Sequence, residues 1–260
     1  MDYTKVTYAL DDGVARIGLN DPEQLNAVSE EMGGQLLAAV QRAADEARAV
    51  VLTGEGRAFC SGASLRDCGL DLAQPNRDIG LLLERFYNPV LATIRKMDAP
   101  VITAVRGAAA GFGAGLALSG DLIVCAENAY FIQAFRHVGL APDGGSSYLL
   151  SRAIGRVRAM ELMLLGERLA ADKALDWGLV NRVVPDAELD ATAMALAANL
   201  ASGPASIGII KQVAWAALDA AYDTALALER DAQRSASRSE DFLEGIAAFQ
   251  EKRKPSFSGR

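Results

Sequence analysis

Apolar positions in the first two-thirds of the chain fall into short runs separated by stretches with helical spacing. "VARIGL" (Val14 to Leu19) reads as a strand. Ser29 then stands where a helix N-cap belongs. Glu30 and Glu31 follow it, placing negative charge at the positive end of the helix dipole. Met32, Leu36 and Val40 recur every four residues and so share one buried face. "AVVLTG" (Ala49 to Gly54), "PVITAVRG" (Pro100 to Gly107) and "DLIVCA" (Asp121 to Ala126) are continuous apolar runs of strand length. Helical stretches separate them, notably Leu81 to Met97. Such alternation predicts an α/β core with largely parallel pairing.

From about Leu189 the strand runs cease. Leu189 to Ser202, Ala205 to Ala217, Ala220 to Ser237 and Ser239 to Lys252 all read as helices. Phe242, Ile246 and Phe249 form one apolar stripe on the last. The expected organisation is an α/β core over residues 1–188 and a helical C-terminal region over 189–260. A helical region of this size packs on its own core or on a neighbouring subunit. There is no low-complexity linker and no short repeat; Gln74 to Asp78 is the most loop-like interior segment.

With 260 residues, 51% of them apolar, the chain can bury a sizeable core. Only 6% are aromatic, so Ala, Leu, Val and Gly do most of the packing. A net charge of -7 argues against broad nucleic-acid or anionic-membrane binding, and an anionic ligand would need local donors. Cys60, Cys68 and Cys125 have no metal-like spacing, and their odd number suits a reducing compartment. The start, "MDYTKVTYAL", lacks a basic n-region and an apolar h-region. The central uncharged stretch, Gly107 to Gly120, is shorter than the roughly 20 apolar residues of a membrane span. These features lead to the expectation of a cytoplasmic protein.

"GFGAGL" (Gly111 to Leu116) is not a dinucleotide fingerprint, because Leu116 occupies the place of the last glycine. Two readings stand for it: close backbone packing, or N–H groups facing a ligand oxygen. "FCSGAS" (Phe59 to Ser64) is a second small-residue turn after a strand, and together the two could offer two N–H donors to one oxyanion. His137, the only histidine, has neither a nucleophile signature nor zinc-ligand spacing around it, which favours a structural role. "EKRKP" (Glu251 to Pro255) is either a solvated tail or a phosphate contact through Lys252, with Arg66 a second candidate for that contact. Asp143 is the one acidic residue in "GLAPDGGSS" (Gly139 to Ser147). It either caps a helix or carries a proton.

Taken in order, "NDPEQLNAVS" (Asn20 to Ser29), "GRAFCSGASL" (Gly56 to Leu65), the block Ala99 to Phe131 and the block Gly139 to Val184 resemble the enoyl-CoA hydratase/isomerase superfamily, the crotonase fold. The resemblance covers nearly the whole chain. It implies a spiral of ββα units with a helical trimerisation region, assembling as a homotrimer or a dimer of trimers. It also implies an acyl-CoA thioester bound between the two glycine turns, with no metal and no redox cofactor. The thioester oxygen would accept from the N–H groups of Ala63 and Phe112. Ser61, Gly62, Leu65, Gly111 and Phe135 would line the substrate, and Lys252 would meet its phosphates. Leu81, Phe86, Tyr87 and Tyr148 are either further pocket residues or ordinary core.

The departures from the family pattern are informative. The two glutamates with which its hydratases activate water would fall at Gly115 and Phe135, neither of which can move a proton. Asp143 stands where the isomerase branch keeps its proton-shuttling acid, and "PDGGSS" is similar to isomerases of bacterial phenylacetate degradation. Burial beside Phe112 and Phe135 would raise the Asp143 pKa, while a helix start would lower it. The resemblance therefore implies an acyl-CoA isomerase, either moving a double bond or opening a ring epoxide. A hydratase with unconventional groups and a non-catalytic acyl-CoA-binding protein are the alternatives. The dehalogenase branch also has an Asp at this turn, but its histidine has no counterpart in Leu91 to Met97.

Overall fold

The structure, a computed structural model, describes residues 3–65 and 78–259. The chain opens with a hairpin of β1 (Val6–Asp11) and β2 (Val14–Leu19), followed by α1 (Glu30–Glu46) and β3 (Ala49–Gly54). A helical stretch made of α2 (Gly80–Leu82), a π-helical turn (Leu83–Tyr87) and α3 (Asn88–Lys96) leads to β4 (Val101–Val105). Next come β5 (Ala108–Ala110), α4 (Phe112–Leu118), β6 (Leu122–Ala126), β7 (Tyr130–Ile132), α5 (Ser146–Ala153) and α6 (Gly155–Leu165). Then follow β8 (Arg168–Ala170), α7 (Ala171–Asp176) and β9 (Arg182–Val184). Four helices finish the chain: α8 (Leu189–Ala201), α9 (Ser206–Ala217), α10 (Tyr222–Ala236) and α11 (Glu240–Glu251).

The main sheet has the order β1-β2-β3-β4-β6-β9 and is parallel except at the β1–β2 hairpin. A small sheet, β5-β7-β8, lies after the main strands in the same winding. Strand β3 shows why its sequence is apolar throughout. Val50 and Leu52 pack with Met32, Leu36 and Val40 of α1 and Ile94 of α3, while Ala49 and Val51 pack with Leu189, Ala193 and Ala197 of α8. Alternate residues of a strand point to opposite faces, so a strand covered on both must be apolar at every position.

The N-cap expected at Ser29 is present: its Oγ accepts from the Met32 N–H at 3.2 Å. Ser29→Ala is expected to cost about 1 kcal/mol, read as a lower urea midpoint at unchanged m-value. The stretch Leu81 to Met97 is helical as expected but contains the π-helical turn, which no periodicity announced. The hairpin strand β1, the small sheet and β9 were also not foreseen; all but β1 are only three residues long, too short to show a period. Helix α9 is held to the core by Lys211. Its buried ammonium donates to the Ile94 and Ala99 carbonyls (2.8 and 2.9 Å) and pairs with Asp121 at 2.9 Å. Burial holds its pKa below the usual lysine range, against the opposing pull of Asp121.

The apolar stripe of α11 does not settle on the chain's own core: Phe249 is 83% exposed, and Phe242 and Ile246 are also exposed. No single helix among the described residues is long and apolar enough to cross a membrane. Arg66, Cys68 and residues 74–77 of the loop-like segment lie outside the described residues.

Candidate active site

The first small-residue turn is held from two sides. Cys60 N–H donates to Ala108 O (3.0 Å) and Ala110 N–H donates to Cys60 O (2.9 Å), which fastens the turn to β5. On the other side Val28 N–H donates to Gly62 O (2.8 Å) and Ser64 N–H donates to Val28 O (2.9 Å). This is a parallel bridge between Val28 and Ala63 that uses the groups flanking Ala63. The N–H of Ala63 itself therefore points away from Val28. Asn26 holds the preceding residues: its Nδ2 donates to Glu55 O (2.9 Å) and Ala58 O (2.8 Å).

The second turn starts at Gly111, whose φ of +52° suits glycine, and whose N–H donates to Ile132 O at 2.9 Å. The chain then enters α4, so the Phe112 N–H lies in the first helical turn with no acceptor inside the helix. The two turns touch. A Cβ at Gly113 would stand 2.7 Å from the Cys60 Cβ, and one at Gly62 would stand 2.9 Å from Ala110 O. Only glycine allows this approach. The structure thus places the Ala63 and Phe112 turns side by side at one end of the parallel strands.

Asp143 comes to the same place through a third backbone contact. A Cβ at Gly115 would lie 2.7 Å from the carbonyl carbon and 2.8 Å from the Cα of Gly144. From the other direction, a Cβ at Gly144 would lie 3.3 Å from Phe112 O and 3.4 Å from the Phe112 ring. The Asp143 turn is therefore laid against the first two turns of α4. The position where a hydratase glutamate would fall is filled by the Gly144 backbone.

Asp143 does not cap α5. The N-cap there is Gly145, at φ +71°, with no side-chain cap bond; the Asp143 backbone carbonyl accepts from Ser146 N–H instead (3.0 Å). Its carboxylate Oδ1 is buried and unpartnered among the described residues. Burial pushes its pKa up to about 6, so of the two opposed influences desolvation wins. The nearby Cys60 thiol is pushed up to about 12, mostly by its own burial and further by the Asp143 charge. Cys60 is thus no thiolate but a packed, neutral neighbour of the carboxylate.

Of the other expected residues, Phe135 is buried, with its ring edge 3.7 Å from where a Gly111 Cβ would be. Ser61 faces the preceding turn, donating from N–H to Leu25 O (2.9 Å) and from Oγ to Gln24 O (3.2 Å). Leu65 is exposed beside the first turn. Lys252 is not in this cluster: it ends α11 at φ +55°, exposed, and no hydrogen bond or ion pair among the described residues joins it to either turn. Leu81 is exposed, and Phe86 packs on Gly33 of α1. Tyr148 belongs to a surface group, donating to Asp219 (2.7 Å) under the Arg152 guanidinium. His137 contacts Gly166 O at 2.9 Å, a structural role as expected.

Tyr87, open between pocket and core in the sequence, is buried and stacks on Phe112, with ring centroids 4.0 Å apart. Two groups at this end of the fold were missed. Ser146 Oγ and Gln133 Oε1 are buried and unpartnered among the described residues. Nothing local in the sequence marks these two, since their burial comes from distant segments. Among the described residues no cluster of three or more His, Cys, Asp or Glu could hold a metal ion.

Residues 9–260 match the family model described as enoyl-CoA hydratase/isomerase. The chain belongs to the enoyl-CoA hydratase/isomerase family. It is 46% identical, over 95% of its length and 96% of the relative's, to the 1,2-epoxyphenylacetyl-CoA isomerase of Escherichia coli. It is 42% identical, over the full length of both chains, to a Rhodobacter capsulatus protein named "Probable enoyl-CoA hydratase". Among solved structures, the enoyl-CoA hydratase of Bacillus anthracis superposes with a TM-score of 0.92 at 30% identity, covering 99% of this chain and 100% of that one. The fold is therefore the crotonase fold, with its helical C-terminal region, as the resemblance implied. This enoyl-CoA hydratase/isomerase family acts on acyl-CoA thioesters.

Proposed function

We propose that the protein is an acyl-CoA isomerase in which Asp143 moves a proton along the acyl chain. Ala63 and Phe112 N–H groups hold the thioester oxygen. With a 3-enoyl thioester, the Asp143 carboxylate removes a proton from C2. The electron pair of that C–H bond moves into the C2–C1 bond, and the carbonyl oxygen takes the negative charge between the two amides. Protonated Asp143 then returns the same proton to C4 as the enolate collapses, leaving a 2-enoyl thioester. No water is consumed, and the carboxyl group with two amides closes the cycle without a metal or redox cofactor. Removing one such oxyanion donor typically costs about 2.7–4 kcal/mol of transition-state stabilisation.

The observation that carries this reading is the half-buried Asp143, on the turn packed against Phe112, whose Oδ1 is buried without a partner among the described residues, with backbone filling the hydratase position at Gly115 and a phenyl ring at Phe135. The name of the E. coli relative supports a ring-epoxide thioester as the substrate; Δ3,Δ2-enoyl isomerisation is the other reaction the proposed proton shuttle would serve. The exposed Phe242, Ile246 and Phe249 stripe supports assembly into a homotrimer or a dimer of trimers. A cytoplasmic setting fits the buried, free Cys60 and Cys125.

The test offers 3-enoyl-CoA, 2-enoyl-CoA and a phenylacetyl-CoA ring epoxide to the protein in deuterated water. Isomerised product is expected from 3-enoyl-CoA, its new C4 hydrogen coming from C2 through Asp143 or, where the Asp143 proton exchanges before delivery, as deuterium from the solvent. Robust hydration of 2-enoyl-CoA would assign a hydratase instead, and tight binding without exchange would assign a binding protein. The pH dependence gives a second check. The base must be ionised, so kcat/KM should rise through about pH 6, the Asp143 value, and stay level above it. A profile flat from pH 5 to 8 would refute the assignment of Asp143 as the base.

A further inference from the structure

We propose that Tyr87 is a positioning residue that holds the Ala63 and Phe112 amides at a single spacing; this rests on the reading that those amides bind the thioester oxygen. Tyr87 is the last residue of the π-helical turn and is 2% exposed. A π turn carries one extra residue per turn and so re-aims the side chains that follow it; such turns recur at functional sites. Here the re-aimed side chain touches Phe112 of the second glycine turn and Val28, the residue bridged to the first. Its ring lies on the Phe112 ring, centroids 4.0 Å apart and planes 21° from parallel. Its hydroxyl donates to Val28 O at 2.9 Å, and Val28 is the residue bridged to Ala63.

Among the described residues the turns are otherwise joined by hydrogen bonds from Phe59 N–H to Arg106 O (2.7 Å) and between Cys60 and β5, with close contacts at Gly62 and Gly113. Those bonds lie along one line of backbone and resist separation better than rotation about that line. Tyr87 adds a fixed point away from it. An oxyanion site needs both donors at about 2.7–3.1 Å from one oxygen position. A misplacement near 1 Å can cost about 10²-fold in rate.

The chemistry of Val28 keeps the test clean. Its carbonyl also accepts from Ser64 N–H (2.9 Å), so removing the Tyr87 hydroxyl leaves no buried carbonyl without a donor. Tyr87→Phe keeps the ring contact and is expected to fold normally. It should lower kcat about 5- to 10-fold with KM within about 2-fold, as for an interaction felt mainly in the transition state. Tyr87→Leu removes both contacts and should lose up to about 10²-fold.

The readout specific to positioning is the thioester C=O stretch of bound, unreactive hexanoyl-CoA, measured by isotope-edited infrared difference spectroscopy. The parent should shift it to lower wavenumber, Tyr87→Phe less so, and Tyr87→Leu least. An unshifted carbonyl in the parent would overturn both the amide site and the role of Tyr87. A shifted carbonyl in the parent with the same shift and kcat in Tyr87→Phe and Tyr87→Leu would overturn the role of Tyr87 alone. Should Tyr87→Leu not fold, Tyr87→Phe decides by the same two measurements.

Discussion

Asp143→Asn is expected to lower isomerisation by about 10²–10⁴-fold, the range for removing a general acid–base group, while the protein keeps its fold and its affinity for acyl-CoA. The amide cannot take a proton from C2, but it matches the carboxylate in shape and leaves the Gly115–Gly144 contact untouched. Stability should move the other way. Burial raises the folded-state pKa of Asp143 to about 6, above the ordinary value of 3.8. Between those two values the folded protein binds more protons than the unfolded chain, so stability falls as pH rises through that window. Above pH 6 the parent holds a carboxylate whose Oδ1 is buried without a partner among the described residues, and the asparagine variant holds no charge there. Asp143→Asn should therefore melt at the same temperature as the parent near pH 4 and at a higher one at pH 8. Full turnover in this variant would remove Asp143 from the mechanism. A lower melting temperature at pH 8 would mean that the carboxylate has a stabilising partner.

Gly115→Ala is expected to lower kcat by about 10²-fold, the loss that accompanies a misplacement near 1 Å. The added methyl group would meet the Gly144 carbonyl carbon at 2.7 Å and its Cα at 2.8 Å, and backbone at that range has to move. The part of the structure free to move is the turn that carries Asp143, because α4 is buried along its whole length. Displacement lifts the carboxylate away from Phe112 and toward water. The rising limb of the pH profile should then shift from about 6 toward the ordinary carboxylate range, the direction in which lost burial acts. Gly245→Ala on α11 is the control for a glycine-to-alanine change in a helix, since its Cβ would meet only the Phe257 ring at 3.7 Å. Unchanged kcat and pH profile in Gly115→Ala would show that the turn tolerates a side chain there.

The same contact separates what was legible in the chain from what was not. Both glycine turns, Asp143 and the empty hydratase positions could all be read from residue identity. The reason position 115 is empty could not, because Gly115 and Gly144 lie on different elements and meet only when α4 and the Asp143 turn pack together. Residue identity left both capping and proton transfer open for Asp143; the structure has Gly145 at the N-cap and the Asp143 Oδ1 without a donor among the described residues. Lys252 illustrates the reverse case. A basic cluster is visible in any sequence, but its reach depends on where α11 ends, and that end is not tied to the site among the described residues.

The sequence by itself determined the α/β class, the strands β2, β3, β4 and β6, the N-cap of α1, and the residue types available at the site. These follow from backbone geometry and from periods of two and 3.6 residues, which act over a few neighbours. Tertiary structure alone decided three things: the touching of three glycine-bearing turns, the burial that raises the Asp143 pKa, and the placing of Tyr87 across Phe112 and Val28. Each depends on excluding water or matching surfaces between segments far apart in the chain, and no local pattern records who the partner will be.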